Sequence, residues 1–356
     1  MIAEMPSNQV WLITGGAGFL GFHLSNAFAS RVGKILALDI APFDPREFPK
    51  GTSFLPIDTR DKSGIERIFK ENPVDVVIHA AAALPLAKKQ VIHAVNVGGT
   101  RNILEAARAG GTRRVVFIGS TAVYGVPDKH PLFEDDPLIG VGSYGKTKIE
   151  GERLCGEYRE RGLCVPVLRP KTFVGTGRLG VFQILYDWVE SGCRIPMIGS
   201  GRNRYQLLEV DDLVEAIYLC GTAEERLVND TFNVGAREFK TVQEDLEALC
   251  TMAQSGARPM ATAAWMVKPA LALFEGLGLS PLYKWVYGTA DKDSFVSTEK
   301  IVQKLGWKPQ YSNAQALIRS YQSYLENKAE SDSATGLTHR VAWSQGILKF
   351  FKWALK

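Results

Sequence analysis

The sequence predicts an α/β fold, a Rossmann-type doubly wound parallel sheet with a smaller mixed C-terminal substrate lobe. Short apolar, β-branched runs alternate with helical patterns up to about Val234, which is typical of parallel β-α-β units. The first of these runs ends in three evenly spaced glycines. From about Gly175 glycine, proline and aromatic residues are interspersed irregularly, which indicates a second lobe interleaved with the end of the first. A chain of 356 residues is long enough to bury the cores of both.

The alternation divides the chain into predicted elements. The strands are Val10–Ile13, Lys34–Asp39, Ser53–Ile57, Val74–His79, Arg114–Gly119, Cys164–Leu168 and Thr231–Val234. The clearest helices are Asp61–Glu71, Val95–Ala109 and Tyr144–Glu160. We therefore assign residues 1–175, completed by about 212–236, to the sheet domain, and residues 176–211 and 237–328 to the substrate lobe.

A glycine-rich turn follows the first strand. Gly15, Gly18 and Gly21 have the spacing Gly-x-x-Gly-x-x-Gly, and amphipathic sequence follows. In such a loop the first glycine permits a tight turn, the second lets the backbone approach phosphates, and the third allows close helix–strand packing. The free N–H groups at the helix start, among them those of Phe19 and Leu20, then bind the pyrophosphate of a dinucleotide. A plain structural turn is the alternative.

Acidic residues end the next two predicted strands. Asp39 lies eighteen residues after Gly21, where an acid accepts hydrogen bonds from the adenosine ribose and repels a 2′-phosphate. This position favours NAD over NADP, the alternative being an acid that only faces water. Asp58, with Thr59 beside it, either binds the adenine amino group or caps the following helix.

Three residues predict chemistry at the nicotinamide end of the same sheet. Tyr144 and Lys148 are four residues apart, which places both on one face of a helix. The ammonium favours the phenolate, so we expect the pKa of Tyr144 to fall towards neutrality. Such a tyrosine exchanges a proton with a carbinol while hydride moves to nicotinamide. Ser120, at the C-terminal end of a strand, donates a hydrogen bond to the same oxygen.

With these motifs the chain resembles the extended short-chain dehydrogenases/reductases of the NAD-dependent epimerase/dehydratase family, with 3β-hydroxysteroid dehydrogenase-like enzymes as near relatives. The matching segments occur in family order through most of residues 10 to 310: Thr14–Gly21, Asp39, Asp58, His79–Ala81, Asn96–Thr100, Ser120–Gly125, Tyr144–Lys148, Leu168–Pro170, Val210–Asp212 and Phe232–Gly235. The resemblance implies an NAD site in which Tyr144 and Lys148 also contact the cofactor. It further implies that Ala80 and Ala81 line the cleft, that Asn96 supports the active site, and that Pro170 and Thr172 lie beside the nicotinamide.

Three departures from the family pattern bear on the reaction. Thr121-Ala122 stands where 4,6-dehydratases have an Asp-Glu pair, so dehydration is disfavoured. Thr172 replaces a frequent asparagine, and Tyr205 takes the usual place of a diphosphate-binding arginine. Thr121 is a candidate substrate contact. Arg202 and Arg204 either reach a substrate phosphate or are surface charges.

These observations predict an NAD-dependent oxidoreductase/isomerase that moves hydride to and from a secondary alcohol carbon, an epimerase of a sugar nucleotide. The alternative is a 3β-hydroxysteroid dehydrogenase-like oxidoreductase acting on a hydrophobic secondary alcohol or ketone. It is favoured by Met260–Leu279, an apolar stretch that predicts a buried helical lobe lining a pocket. A third hypothesis is a non-catalytic NAD-binding scaffold, which the intact Ser120, Tyr144 and Lys148 disfavour.

The net charge of +4 is located in the C-terminal tail, whose cations are Arg340, Lys349, Lys352 and Lys356. The rest of the chain has no excess of basic residues, so we expect no nucleic-acid partner. Residues 329–356 predict a linker and a cationic amphipathic tail. Residues 346–356 either make a peripheral contact with an anionic membrane surface or form a helix docked on the body or on a second subunit.

The five cysteines are odd in number and lack any Cys-x-x-Cys pair, which predicts buried free thiols in a reducing compartment. The N-terminal residues lack the pattern of a signal peptide. We therefore expect a cytoplasmic protein, with the inner membrane surface as the one peripheral site. We also expect a homodimer and no metal ion.

Overall fold

A seven-stranded parallel sheet forms the centre of the computed structural model, which describes residues 8–85, 87–277, 284–328 and Lys352. Its strands are β1 (Val10–Thr14), β2 (Lys34–Leu38), β3 (Thr52–Leu55), β4 (Val74–His79), β5 (Arg114–Ile118), β6 (Val167–Pro170) and β10 (Thr231–Val234). They follow the order β3–β2–β1–β4–β5–β6–β10. The order reverses between β1 and β4, so the sheet is doubly wound as predicted.

The remaining strands make two small parallel pairs, β7 (Thr172–Val174) with β9 (Leu207–Glu209) and β8 (Arg194–Ile198) with β11 (Arg258–Thr262). The helices are α1 (Phe19–Phe28), α2 (Lys62–Glu71), α3 (Lys89–His93), α4 (Thr100–Ala109), α5 (Gly142–Glu160), α6 (Val181–Glu190), α7 (Val210–Thr222), α8 (Glu225–Val228), α9 (Val242–Ala253), α10 (Ala264–Gly276), α11 (Lys284–Thr289), α12 (Glu299–Leu305) and α13 (Asn313–Glu326). A π-helical turn at Ala94–Gly99 joins α3 to α4, and 3₁₀ turns lie at Pro45–Glu47 and Thr121–Tyr124.

Two apolar cores cover the faces of the main sheet. Side chains alternate along a strand, so Trp11 and Ile13 of β1 pack in the core that includes α1 and α7. Val10 and Leu12 pack on the opposite face with α2, α4 and α5. This arrangement explains why the central strands read as continuous apolar runs, since both faces are buried.

One predicted strand is displaced along the chain. The prediction was Cys164–Leu168, but β6 begins at Val167. Pro166 has no N–H to donate to a neighbouring strand, and only its carbonyl accepts, from Phe117 N. Regular pairing with β10 therefore starts after the proline, at Val167 opposite Thr231.

The second lobe has its own core, formed by α6, β8, β9, α9 and α13 and including Tyr186, Leu249 and Tyr321. Not all of residues 237–328 belong to it. Ile301 of α12 and Trp307 pack in the core of β1, and Trp307 Nε1 donates to the Asp212 carbonyl at 3.0 Å.

The apolar stretch Met260–Leu279 does not form the predicted buried lobe. Its first residues belong to β11, and α10 follows. Trp265, Met266 and Leu273 are 77%, 58% and 62% exposed, whereas Leu271 of the same helix is buried. The prediction was wrong because composition does not say which face of a helix finds a partner; residues 278 and 279 lie outside the described residues.

The predicted C-terminal tail lies outside the described residues except for Lys352. Lys352 Nζ forms an ion pair with Asp187 of α6 at 2.6 Å, and the Lys352 carbonyl lies 3.7 Å from Cys193 Sγ. All five cysteines are buried free thiols, which confirms the prediction of unpaired cysteines. In the described part of the chain, every helix is too short or too polar to cross a bilayer.

The packing at Gly21 yields a testable prediction. A Cβ there would lie 2.6 Å from Gly16 Cα and still closer to the Gly15 carbonyl. Gly21→Ala should therefore lower the free energy of unfolding by about 1–3 kcal/mol, as overpacking does, and should weaken NAD binding. Gly156→Ala in α5 is the matched control, because a Cβ there meets nothing within 4 Å. Urea unfolding should show the control unchanged or stabilised, and equal behaviour of the two variants would contradict the prediction.

Candidate functional site

A cleft of about 1480 Å³ opens along the C-terminal edge of the main sheet. Segments that follow β1, β2, β3, β4, β5 and β6 all line it, together with the first turn of α5 and residues 288–290. Because parallel strands end at the same edge, their connecting loops converge there, as in other open α/β sheets. The sequence motifs separated by more than a hundred residues are thereby brought to one cavity.

The glycine loop forms one end of the cleft. Gly15 has φ +72°, a conformation that glycine adopts without strain, and a Cβ there would lie 3.0 Å from Ala81 N. Gly18 precedes α1 without a side-chain cap, so the first N–H groups of that helix have no partner in the helix itself. Gly15, Gly18, Phe19 and Leu20 line the cleft, whereas Gly21 does not. Gly21 therefore acts by packing α1 onto the turn.

The Asp39 carboxylate is held at the end of β2. Its Oδ2 accepts from Ala17 N at 3.0 Å and its Oδ1 accepts from Ala41 N at 2.9 Å. The bond from Ala17 connects the acid to the glycine loop, and the bond from Ala41 closes a local turn after β2; together they orient the carboxylate at the cleft wall. An acid that merely faces water would need no such anchoring.

Asp58 and Thr59 line the same end of the cleft. Asp58 forms an ion pair with Arg60 at 2.6 Å, which lowers the pKa of the Asp58 carboxyl. The N-cap of α2 is Asp61, whose Oδ1 accepts from Gly64 N at 3.0 Å. The helix-capping alternative for Asp58 was therefore wrong, and its carboxylate remains at the cleft.

Ser120, Tyr144 and Lys148 meet at the middle of the cleft. The Ser120 side chain lies close enough to the Tyr144 hydroxyl to influence its pKa, and Lys148 Nζ lies 5.8 Å from the centre of the Tyr144 ring. Lys148 Nζ donates to the Ile118 carbonyl at 2.8 Å, so β5 positions the amine. Helix α5 and the end of β5 thus bring two hydroxyls and an amine to the same cleft.

The pKa values at this cluster are governed by burial. Burial raises the pKa of Tyr144 to about 12, although the nearby Ser120 side chain opposes the rise. Burial also lowers the pKa of Lys148 to about 8. The expected fall of the Tyr144 pKa is therefore not present in the protein alone, because desolvation of the phenolate outweighs the attraction of an amine at this distance.

Asn96 holds the loop after β4 against α5. Its Oδ1 accepts from Ala83 N at 2.8 Å, and its Nδ2 donates to Thr147 Oγ1 at 3.1 Å. Ala80 and Ala81 of this loop line the cleft, and Ala81 N donates to Thr14 Oγ1 at 3.1 Å. The π-helical turn presents Asn96 at this point, and the supporting role that the resemblance implies stays a prediction.

A chain of hydrogen bonds beneath the loop determines the state of His79. Thr100 Oγ1 donates to the Asn96 carbonyl, so it accepts from His79 Nε2 at 2.9 Å. His79 Nδ1 then accepts from Thr14 Oγ1 at 2.8 Å. Burial lowers the pKa of His79 to about 3, and Lys148 adds to the effect. His79 is therefore a neutral structural group.

A buried ion pair connects α5 with β6. Arg169 and Glu152, with exposed side-chain fractions of 5% and 8%, approach to 2.6 Å. Arg169 also donates to the Tyr124 hydroxyl at 2.8 Å, and Tyr124 donates to Asn233 Oδ1 at 2.6 Å. The pair raises the pKa of Arg169. Elements from four places in the chain are thus joined behind the cleft.

The predicted substrate contacts separate into two groups. Thr121, Pro170 and Thr172 line the cleft, and Thr121 Oγ1 donates to the Pro170 carbonyl at 3.3 Å. Arg202 and Arg204 are exposed and absent from its lining. Arg204 lies 4.7 Å from each of the Phe239 and Phe295 rings. The structure favours the surface-charge alternative for both arginines.

Sequence analysis did not identify Lys171, Ser294 or His130, all of which line the cleft. Lys171 could have been identified from the sequence, because it is a charged residue directly after a buried strand. Ser294 and His130 carry no local signal, since only the tertiary fold brings them to the cavity. Conversely, none of the described residues 258–277 lines the cleft.

Comparison with known proteins identifies relatives of this chain. The model of the NAD dependent epimerase/dehydratase family matches residues 11–235. The uncharacterized protein y4nG of Sinorhizobium fredii is 35% identical over 354 residues, which cover 97% of this chain and 86% of that protein. A UDP-glucose 4-epimerase of Lactobacillus helveticus is 25% identical over 334 residues, which cover 86% of this chain and 94% of the relative.

Solved structures show the same fold. The Bordetella bronchiseptica enzyme WbmG in complex with NAD and UDP matches with a TM-score of 0.72 and 22% sequence identity. The match covers 90% of this chain and 96% of that one.

The buried pair behind the cleft allows a matched test. Glu152→Gln should lower the free energy of unfolding by about 3–5 kcal/mol, because it leaves the buried Arg169 charge uncompensated. Glu157→Gln, which breaks the exposed pair with Arg153 on the same helix, should cost less than about 1 kcal/mol. Chemical denaturation of both variants measures the difference. A similar loss of unfolding free energy in both variants would show that the buried pair of Arg169 and Glu152 is no more important for stability than the exposed pair.

Proposed function

The chain belongs to the NAD-dependent epimerase/dehydratase family, and on that premise we propose that it is a sugar-nucleotide epimerase that uses Ser120, Tyr144 and Lys148 as its catalytic residues. Its cofactor is NAD. The observation that carries the proposal is the placement of Ser120, Tyr144 and Lys148 in one cleft with the glycine loop and Asp39, with Lys148 Nζ 5.8 Å from the centre of the Tyr144 ring. The similarity to a UDP-glucose 4-epimerase over most of both chains supports the choice of substrate class.

The residues at the cleft fit a dinucleotide. The uncapped N-terminus of α1 and the glycine loop, which a Cβ would fill, suit a pyrophosphate. The anchored Asp39 carboxylate suits the ribose hydroxyls of NAD and disfavours a 2′-phosphate. The proposed NAD contacts are Gly15, Gly18, Phe19, Leu20, Asp39, Asp58, Thr59, Ala80, Ala81, Tyr144, Lys148, Pro170 and Thr172, with Gly21 acting through packing.

Bound NAD supplies a hydride acceptor and a positive charge next to the reacting carbon. The Tyr144 oxygen takes the proton of the substrate hydroxyl and returns it when the carbonyl is reduced. Ser120 donates a hydrogen bond to the substrate oxygen, which stabilises its developing negative charge. The buried Lys148 ammonium stabilises the phenolate, whose pKa must fall from about 12 for this exchange to proceed near neutrality.

Three features distinguish this proposal from its alternatives. Thr121-Ala122 places no carboxylate beside the reacting carbon, which argues against a dehydratase. The stretch Met260–Leu279 favoured a hydrophobic alcohol as substrate, but its described residues do not line the cleft. A non-catalytic scaffold would have no need for Ser120, Tyr144 and Lys148 together at the wall of the cofactor cleft.

The catalytic proposal is tested by Tyr144→Phe. Turnover of UDP-glucose, followed by formation of its C4 epimer, should fall about 10²–10⁴-fold, because the acid–base hydroxyl is lost. Tyr158→Phe is the matched control, a buried tyrosine of the same helix in the apolar core, and should keep wild-type activity. NAD released by denaturing the purified protein should be equal in the wild type and Tyr158→Phe, and lower by much less than the turnover in Tyr144→Phe, which loses one of the proposed NAD contacts. Full activity of Tyr144→Phe would revive the scaffold hypothesis, and stoichiometric NADH release on a lipid alcohol would favour the dehydrogenase.

We also propose a cytoplasmic homodimer that contacts an anionic membrane surface peripherally. The five buried free thiols support a location in the cytoplasm, because a reducing compartment keeps cysteines unpaired. A membrane contact was one of the two interpretations of residues 346–356, and it depended on their cations. Lys352 is not available for such a contact, since it pairs with Asp187. Helix α10 supplies an apolar surface instead, with Met266, Leu273 and Leu277 exposed at helical spacing beside Trp265.

Vesicle binding tests the membrane contact. The full chain should co-sediment with vesicles containing anionic lipid, and Trp265→Ser combined with Leu273→Ser should reduce the bound fraction several-fold. Val302→Ser, which changes an exposed apolar residue of α12, is the control and should bind as the wild type does. A wild-type chain that ignores such vesicles would contradict this proposal, and light scattering of the same preparation would show whether the chain is a dimer.

A further inference from the structure

Lys171 is a buried amine at the cleft that the proposed catalysis does not use. It joins β6 to β7, and its backbone N–H donates to the Val234 carbonyl at 2.8 Å, so its position is set by the sheet. The residue is only 4% exposed and lines the cleft. Its Nζ donates to Ser294 Oγ at 2.6 Å and lies 4.9 Å from the centre of the Tyr205 ring.

This amine lacks a counter-charge. Within the described parts of the chain, no carboxylate lies within 4.0 Å of Lys171 Nζ, and Ser294 Oγ is its hydrogen-bond acceptor. Burying an ammonium group without an anion costs free energy, and here burial lowers the pKa of Lys171 to about 7. Lysines that only stabilise a fold pair with acids, as Lys328 does with Glu190. Because the unfavourable burial of the Lys171 ammonium occurs at a ligand cavity, it indicates that Lys171 has a role when a ligand is bound.

The groups around Lys171 are suited to oxygen atoms of a ligand. Ser294, Tyr205 and Thr172 present hydroxyls to the same wall, and the Tyr205 and Thr172 oxygens lie 3.5 Å apart. The Nδ1 atom of His130, also at this wall, is buried without a hydrogen-bond partner among the described residues. Asp293 and Asp128 are acids near this wall, and Asp293 Oδ1 accepts from Arg204 N at 2.8 Å. Burial lowers the pKa of His130 and Lys171 adds to the effect, whereas Asp128 and Asp293 oppose it.

We propose that Lys171 and Ser294 form an oxyanion-binding subsite, which takes a phosphate or carboxylate group of the substrate. The proposal rests on the proposed function, since it assigns the charged part of a sugar nucleotide to one wall of the cleft. An arriving oxyanion accepts from the remaining N–H groups of Lys171 and from the hydroxyls beside it. Charge-assisted hydrogen bonds of this kind are among the strongest in proteins. The anion supplies the counter-charge that the Lys171 ammonium lacks in the protein alone.

Calorimetric binding to the NAD-loaded protein tests the subsite, with inorganic pyrophosphate, UDP and UDP-glucuronate as probes. Lys171→Met should weaken binding about 10- to 100-fold, the usual effect of losing a hydrogen bond to a charged group. An equal loss for UDP and UDP-glucuronate assigns the subsite to phosphate. A loss confined to UDP-glucuronate assigns it to the sugar carboxylate. Lys62→Met, a change of an exposed lysine, is the control and should bind all probes as the wild type does.

Two further variants separate binding from folding. Lys171→Arg keeps a cation and should retain most of the affinity, whereas Ser294→Ala should lose part of it. Lys171→Met should be at least as stable as the wild type at pH 7, because it removes a desolvated amine. The stability of the wild type should rise from pH 7 to about 10, since the unfolded chain keeps the Lys171 proton that the folded chain releases. This rise should be smaller in Lys171→Met.

The pH dependence of binding gives a readout that a merely structural lysine would not change. Wild-type affinity for UDP-glucose, whose diphosphate does not titrate near neutrality, should fall above pH 7 as Lys171 loses its proton. The Lys171→Arg variant should keep its affinity up to pH 9. Unchanged affinity of Lys171→Met for every probe overturns the subsite and leaves the epimerase proposal intact. Absence of UDP binding in the wild type, with Lys171-dependent binding of pyrophosphate, contradicts the epimerase proposal and supports the subsite.

Discussion

The buried pair of Arg169 and Glu152 determines how the two halves of the cleft face each other. Glu152 lies two helical turns after Tyr144 on α5, and Arg169 directly precedes the Pro170–Thr172 wall. The guanidinium adds a bond to Tyr124, which continues to Asn233 on β10. Because each partner would be a costly isolated charge, the pair permits only a narrow range of positions for α5 relative to β6. The Tyr144 hydroxyl and the proposed substrate wall are thereby held in one geometry.

Burial sets the electrostatic state of the cleft around that frame. Tyr144 and the two lysines, Lys148 and Lys171, are all desolvated, and each pKa moves towards the neutral form of its side chain. Such desolvated groups contribute nothing to stability in the protein alone, and they become favourable only when bound ligands bring charges that interact with them. The protein alone is therefore prepared for a cofactor and a substrate that restore the missing charges. His79 differs, since its hydrogen bonds on both ring nitrogens keep it neutral and structural.

Much of the site could be predicted because its determinants are local. The positive φ of Gly15 and the close packing of Gly21 require glycine, so the loop can be recognised from the spacing of its glycines in the sequence. Tyr144 and Lys148 share a helix face by their separation alone, and strand ends locate Asp39 and Ser120. The roles of these residues stay proposals, but their common location in one cleft follows from the parallel order of the strands.

Local sequence patterns were sufficient to predict the doubly wound sheet, the glycine loop and the set of Ser120, Tyr144 and Lys148, because periodicity, glycine geometry and helical spacing are properties of short segments. The fold was needed to show that Asp61 rather than Asp58 caps α2, that α10 exposes apolar residues, and that Arg204 packs on aromatic rings away from the cleft. It alone brought Lys171, Ser294 and His130 to one wall. These outcomes depend on which distant segments meet, and contacts between distant segments leave no mark in the local pattern of either one.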